Sequence, residues 1–173
     1  MRNTLLIAII VLFAGSGVFL VTAIAKKISI IKQVSEKIKT LPQFSFVTLD
    51  NEIFSSTDIK SGPLLIVRFH PECEHCHYEI SEIIKNITDL PDGLILLISD
   101  APSDSIRKFM EHFSESRLTG IVSLADPSSE FGTIFGSDIV PSNYIYDRDL
   151  KLVKIFYGEV KPDVLINLMR DGA

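Results

Sequence analysis

The sequence predicts a mixed α/β domain that follows an apolar N-terminal segment. Three observations lead to this prediction: an uncharged run over 5–25, two short and largely apolar stretches at 64–69 and 94–99, and helical spacing of apolar residues after each stretch. Short apolar stretches bounded by turn residues are typical of strands that are buried on both faces of a sheet. Strands that alternate with helices indicate a central sheet flanked by helices.

The composition limits the classes of function that the chain can have. Its 173 residues, 46% of them hydrophobic, suffice for one packed domain with an appendage. The formal net charge is −5 and there is no long basic block, so nucleic acid is not an expected partner. The only two cysteines lie too close together for their disulfide to stabilise much by chain entropy. Their value is therefore expected to be chemical.

The first segment, 1–25, is predicted to be a transmembrane anchor. Leu5–Ala25 has 21 residues without a charge. As a helix it would be about 31 Å long, enough for a hydrocarbon core of roughly 30 Å. Ala23-Ile24-Ala25 also resembles a signal-peptidase site, so a cleaved signal peptide is the alternative. The retained anchor is favoured because the apolar run exceeds the usual signal-peptide core of about 7–15 residues.

The second segment, 26–41, is predicted to be an amphipathic stalk helix. Lys and Glu fill one face, and Pro42 ends the pattern. The apolar face repeats at spacings of three and four residues: Ile24, Ile28, Ile31, Val34, Ile38 and Leu41. The globular domain is then predicted over 42–173.

Period-2 patterns, apolar runs and turn residues predict the elements of this domain in order. The predicted strands are Phe44–Leu49, Glu52–Phe54, Leu64–Phe69, Leu94–Ser99, Ile121–Leu124, Asn143–Tyr146 and Leu152–Phe156. The predicted helices are Cys73–Asn86, a segment capped by Ser103 that runs to Phe113, Ser128–Phe135, and a last helix from Pro162. A helical turn is expected at Ser55–Lys60.

The sequence Cys73-Glu74-His75-Cys76 stands where a buried strand gives way to a helix. Thiols at i and i+3 in a first helical turn can close a disulfide, and the helix start stabilises a thiolate at Cys73. That is the arrangement that thiol–disulfide exchange requires. His75 would favour the thiolate, whereas Glu74 and the other nearby acids, Glu72 and Glu79, would oppose it. The redox direction is left open by these opposed charges.

The same residues allow three other interpretations. A zinc or copper site would draw on the cluster His70, Cys73, His75, Cys76 and His77. The motif also satisfies the C-x-x-C-H pattern of haem attachment, with His77 as axial ligand and Met110 or Met169 as second ligand. Peroxidase chemistry would need Thr or Ser three residues before the reactive cysteine, where His70 stands.

The order of elements resembles the thioredoxin fold over about 42–170: strand, Cys-x-x-Cys helix, strand, helix, Val140-Pro141, hairpin and last helix. The tail Asp126…Phe131-Gly132…Val140-Pro141…Asp147…Gly158 is similar to the redoxin branch. More narrowly, the chain resembles membrane-anchored, extracytoplasmic thiol–disulfide oxidoreductases of the TlpA/ResA kind. The tryptophans that usually flank the motif are missing, and Val67 replaces the buried aspartate of ordinary thioredoxins.

The resemblance implies a role for five residues. Cys73 matches the nucleophile and Cys76 the resolving cysteine. Glu79 matches an acid that assists proton transfer in the cytochrome-maturation members. Pro141 matches a cis-proline opposite the disulfide, and the backbone of Val140 would pair with the substrate.

The implied function is thiol–disulfide exchange on extracytoplasmic proteins, with cytochrome c maturation as a family-level expectation and no cofactor. The expected partners are proteins with disulfides or dithiols and a membrane electron donor. Counted literally, the lysines after the apolar run favour a cytoplasmic domain. The redox chemistry instead favours a single-pass protein of the cytoplasmic membrane with its domain in the periplasm. The alternative is a thioredoxin-fold domain that binds a metal or a partner.

Overall fold

The computed structural model describes most of the globular domain and little of the segment before it. The described residues are 21–22, 24, 26, 32–60, 62–86, 93–113, 118 and 120–171. The chain divides into two compact units, Met1–Glu36 and Lys37–Ala173. Within the described residues, no helix has the length and apolar character needed to cross a membrane. The predicted anchor over 1–25 lies almost entirely outside those residues, and 32–37 of the predicted stalk are helical.

The second unit contains one mixed sheet of seven strands in the order β2-β1-β5-β4-β3-β6-β7. The strands are β1 (Ser45–Thr48), β2 (Ile53–Ser55), β3 (Leu64–Arg68), β4 (Leu94–Ser99), β5 (Ile121–Ala125), β6 (Ser142–Tyr146) and β7 (Leu152–Tyr157). The helices are α1 (Glu74–Lys85), α2 (Ser103–Met110), α3 (Phe131–Phe135) and α4 (Pro162–Asp171), and a 3-10 turn spans Ser56–Asp58. The predicted central sheet with flanking helices is therefore present.

Strand β3 lies inside the sheet, which explains its run of buried residues. It pairs in parallel with β4 and antiparallel with β6. In the antiparallel register Arg68 faces Ser142 and Val67 faces Asn143. The segment after β3 therefore leaves the sheet beside the segment that precedes β6, and these two segments carry the Cys-x-x-Cys and Val140-Pro141 motifs.

The two faces of the sheet bury different sets of side chains, because successive strand residues point to opposite faces. On one face Leu65, Val67 and Phe69 pack in a core with apolar residues of α1, α2 and α4. The other face carries a cluster of aromatic rings in mutual contact: Phe44, Phe46, Phe131, Phe135 and Tyr144. Both faces of the sheet are therefore covered by packed apolar or aromatic side chains.

Two predicted helix starts differ from the structure. The cap of α2 is Pro102 and it makes no side-chain hydrogen bond, so the prediction that Ser103 caps this helix is wrong. Helix α3 begins at Phe131 rather than Ser128, because Ser129 has a left-handed φ of 52° that interrupts a helix. The Asp126 carboxylate accepts hydrogen bonds from the Glu130 and Phe131 N–H groups, each at 2.9 Å, and so satisfies backbone groups at the start of this helix.

The segment just before Pro42 pairs with the sheet. The Leu41 N–H donates to the Leu150 carbonyl at 2.9 Å, and Thr40 bridges to Lys151. The Tyr146 hydroxyl donates to the Ile38 carbonyl at 3.2 Å. These contacts attach the first residues of the unit to the β6–β7 hairpin.

Candidate active site

The Cys73 sulfur occupies the N-terminus of α1. Cys73 is the N-cap, with extended backbone angles (φ −88°, ψ 112°), and its Sγ accepts a hydrogen bond from the Cys76 N–H at 3.2 Å. The sulfur thus takes the place that a Ser or Asp oxygen takes at an ordinary helix start. The aligned peptide dipoles of α1 put partial positive charge there, and this charge favours a thiolate at Cys73.

The two cysteines are in different environments. Both are free thiols in this structure, Cys73 half-buried and Cys76 buried. Burial raises the pKa of the Cys76 thiol well above its ordinary value, and the neighbouring Cys73 and Glu79 raise it further. Because only a thiolate is a good nucleophile, the geometry favours Cys73 as the attacking sulfur and keeps Cys76 protonated until a base acts on it.

Glu79 is a buried carboxyl group one helical turn after Cys76. Its Oε1 accepts hydrogen bonds from the Val160 N–H at 2.8 Å and from the Asn143 side-chain amide at 3.0 Å. Burial raises the pKa of Glu79 to about 7; these two hydrogen bonds lower it, and the charge of Glu159 raises it. Its Oε2 has no hydrogen-bond partner among the described residues, so Oε2 is the atom available to take up a proton.

The Val140–Pro141 peptide bond is cis, as the resemblance implies for this position. Ser142 follows it and pairs with Arg68, the last residue of β3. The Pro141 carbonyl accepts a hydrogen bond at 2.8 Å from the N–H of Gly158, just after β7. Val140 and Pro141, the two predicted substrate-binding residues, therefore lie at the end of the sheet where the cysteine motif begins.

His75 and Glu74 are the two residues between the cysteines, and both are exposed. Nδ1 of His75 lies 2.7 Å from Oε2 of Glu159, in the loop between β7 and α4. The imidazole makes no hydrogen bond to either sulfur within the described part of the chain. His75 therefore contacts a carboxylate that the motif alone does not reveal.

Sequence reasoning missed three residues of this site: Glu159, Val160 and Asn143. Glu159 and Val160 belong to no motif, and Val160 contacts Glu79 through its backbone N–H. Asn143 had one local signal, because it is an amide at the start of a predicted strand that continues with Tyr144, Ile145 and Tyr146, and a buried amide is usually hydrogen-bonded. Their contacts with the cysteine helix bring the loop after β7 and the start of β6 into the site.

The imidazoles expected for a metal site make other contacts. Nδ1 of His70 accepts a hydrogen bond from the Glu72 N–H at 3.2 Å, and Nε2 of His77 lies 2.5 Å from the Pro71 carbonyl. The ring of His77 packs edge-on against Phe109 with 4.6 Å between centroids. Over the described ranges, no three His, Cys, Asp or Glu side chains are grouped so that they could hold a metal ion. The proposed second haem ligands, Met110 and Met169, are buried in the core.

Comparisons with known proteins identify the fold. No family model and no curated protein matches the chain. The MTB DsbF structure, in its mixed oxidised and reduced forms, is 18% identical, with a TM-score of 0.67 over 76% of this chain and 96% of that one. A secreted Mycobacterium tuberculosis disulfide oxidoreductase homologous to E. coli DsbE is 15% identical, with a TM-score of 0.64 over 79% and 98%.

A third solved structure is BsSco, described as a member of the Sco family of cytochrome c oxidase assembly proteins that contains a disulfide switch. It is 18% identical, with a TM-score of 0.62 over 78% of this chain and 93% of that one. These likenesses confirm the predicted thioredoxin-like redoxin fold of the chain.

Proposed function

We propose that this protein is a thiol–disulfide oxidoreductase that acts on extracytoplasmic proteins through Cys73 and Cys76. One observation carries the proposal: a half-buried sulfur at a helix N-terminus lies next to a buried thiol three residues further on. The first environment favours a thiolate, and the second keeps the other sulfur protonated. An attacking and a resolving cysteine must differ in this way, one as a thiolate and the other as a protonated thiol.

The exchange consists of two displacement steps. The Cys73 thiolate attacks one sulfur of a substrate disulfide, whose S–S bond breaks and releases a thiolate, leaving a mixed disulfide. Cys76 then loses its proton and attacks the Cys73 sulfur. This second step releases the other substrate thiol and leaves a Cys73–Cys76 disulfide, so two electrons pass from the protein to its substrate. A membrane dithiol donor would restore the reduced pair, and the reverse sequence oxidises a substrate dithiol.

Glu79 is the proposed acceptor for the Cys76 proton. Its pKa of about 7 makes it neither fully charged nor fully protonated near neutral pH. Oε1 is occupied by two N–H donors, and Oε2 is without a partner among the described residues. A proton that leaves the Cys76 sulfur can thus be taken up on Oε2 without breaking either hydrogen bond.

The proposed substrate strand lies along Val140 and Pro141. The backbone N–H and C=O groups of Val140 have no hydrogen-bond partner in the described part of the chain. Unpaired backbone groups beside a reactive sulfur can pair with an extended peptide and align its cysteine for attack. Side chains of the substrate would then contact the exposed Ile139 next to this segment.

The proposed setting is the periplasmic face of the cytoplasmic membrane, with residues 1–25 as anchor and 26–41 as stalk. One structural neighbour, described as a secreted disulfide oxidoreductase, supports an extracytoplasmic setting. Within it we favour a role in cytochrome c maturation, in which the protein would reduce the two cysteines of an apocytochrome before haem is attached.

A trapping experiment tests the proposal. Cys76→Ser removes the resolving thiol, so mixed disulfides with substrate proteins should accumulate and be released by dithiothreitol. Cys73→Ser and the double variant Cys73→Ser/Cys76→Ser are the controls and should trap nothing. The proposal fails if full-length Cys76→Ser protein in cells forms no covalent complexes beyond those of the double variant.

A further inference from the structure

The loop between β7 and α4 contacts the cysteine helix through two consecutive residues. The Val160 N–H donates to Oε1 of Glu79 at 2.8 Å, and Glu159 reaches Nδ1 of His75 with its Oε2 at 2.7 Å. Val160 also packs against the core that contains Cys76. The backbone of the loop is therefore held by Val160, and the Glu159 side chain is directed at the histidine between the two cysteines.

The contact with Glu159 determines which nitrogen of His75 carries a hydrogen in the neutral ring. A carboxylate oxygen only accepts, so Nδ1 of His75 must carry a hydrogen in both charge states of the ring. When the ring is protonated, the carboxylate 2.7 Å away balances its charge.

We infer that Glu159 is a positioning residue that holds His75 toward the β7–α4 loop and cancels its charge, so that the imidazolium does not stabilise the Cys73 thiolate. Without Glu159, a Cys-x-His-Cys pair would have a cation inside the motif, and a stabilised thiolate makes a dithiol pair more oxidising. With Glu159 the pair is more reducing. The inference rests on the proposed function only in taking Cys73 as the attacking sulfur.

Other charged side chains lie on the elements around His75. Glu74 and Glu79 lie on α1, Glu72 precedes the motif, and Lys161 and Asp163 follow Glu159 on the loop and α4. None of these five has a hydrogen bond or ion pair with His75 among the described contacts. Glu159 is therefore the group whose removal should change the effect of His75.

The test is a double-mutant cycle of Glu159→Gln and His75→Ala on the full-length reduced protein. The readouts are the thiolate absorbance near 240 nm across pH and the equilibrium with glutathione. Glu159→Gln should raise the ratio of Cys73 thiolate to thiol about tenfold while the His75 ring is protonated, because the positive charge of the ring is then no longer balanced. His75→Ala should abolish that gain in the Glu159→Gln background and change little in the wild type.

Asp163→Asn is the matched control, because it removes one negative charge near the same loop without a contact to His75. It should leave the thiolate ratio within about twofold of the wild type. The inference is wrong if His75→Ala has the same effect with and without Glu159. Since no substrate is present, this cycle can succeed where the trapping experiment fails, or fail where it succeeds, and the two hypotheses are judged separately.

Discussion

Because of the buried carboxyl group of Glu79, the folding stability should fall as the pH rises. The Glu79→Gln variant should lose this pH dependence. Glu79 is fully buried, and its pKa rises from 4.5 to about 7 because burial disfavours the charged form. Between these two pH values the folded protein keeps a proton that the unfolded chain has released. The stabilising contribution of protonated Glu79 is complete below pH 4.5 and is lost as the pH rises through about 7.

The size of the effect follows from the shift. Each pKa unit corresponds to about 1.4 kcal/mol, so the shift of Glu79 from 4.5 to about 7 would cost the wild type about 3 kcal/mol of unfolding free energy by pH 8. Glutamine has nearly the same shape, is neutral at every pH, and its Oε1 can still accept the hydrogen bonds from Asn143 and Val160. Glu79→Gln should therefore be more stable than the wild type at pH 8 and similar to it at pH 4.

Urea unfolding of the reduced protein between pH 4 and pH 8 measures this difference. The matched control is Glu52→Gln, because Glu52 is exposed in the β1–β2 turn and its neutralisation should leave the wild-type curve unchanged. Parallel stability curves for the wild type and Glu79→Gln would refute the reasoning.

The same variant should slow release of the mixed disulfide about a hundredfold, because Cys76 loses its proton acceptor. A gain in stability with a loss of exchange would separate this role from a purely structural one.

Two further predictions concern the packing around the site. Asp100→Asn should lower the unfolding free energy by about 2 kcal/mol, because Arg68 is buried and the Asp100 carboxylate, 2.9 Å from its Nη2, is its only ion-pair partner among the described residues; urea unfolding with a loss under about 0.5 kcal/mol would contradict this. Gly93→Ala should cost about 1–3 kcal/mol, because its Cβ would lie 2.6 Å from the backbone oxygen of Pro63. An unchanged melting temperature would show that the loop moves aside.

Much of the fold could be predicted because its signals are local. Strand β4 has the predicted bounds, Leu94–Ser99, since a short apolar run between turn residues leaves few alternatives. The start of α1 was also predictable, because the pattern changes from a strand to a helix at the cysteines. Predictions were weaker where two local signals competed. Ser128 was expected to start α3, but the helix begins at Phe131, where Asp126 caps it.

The sequence by itself determined the position of the candidate reactive pair, Cys73 and Cys76, and of Glu79 one turn further on, because residues on one helix keep a set spacing. Only the tertiary structure decided what surrounds them. Glu79 meets Asn143 and Val160 across 64 and 81 residues, and His75 meets Glu159 across 84. No local pattern encodes such pairs; they exist because the sheet brings the start of β6 and the loop after β7 to the cysteine helix. The proposed chemistry could be predicted from the motif, whereas the residues that contact Glu79 and His75 could not.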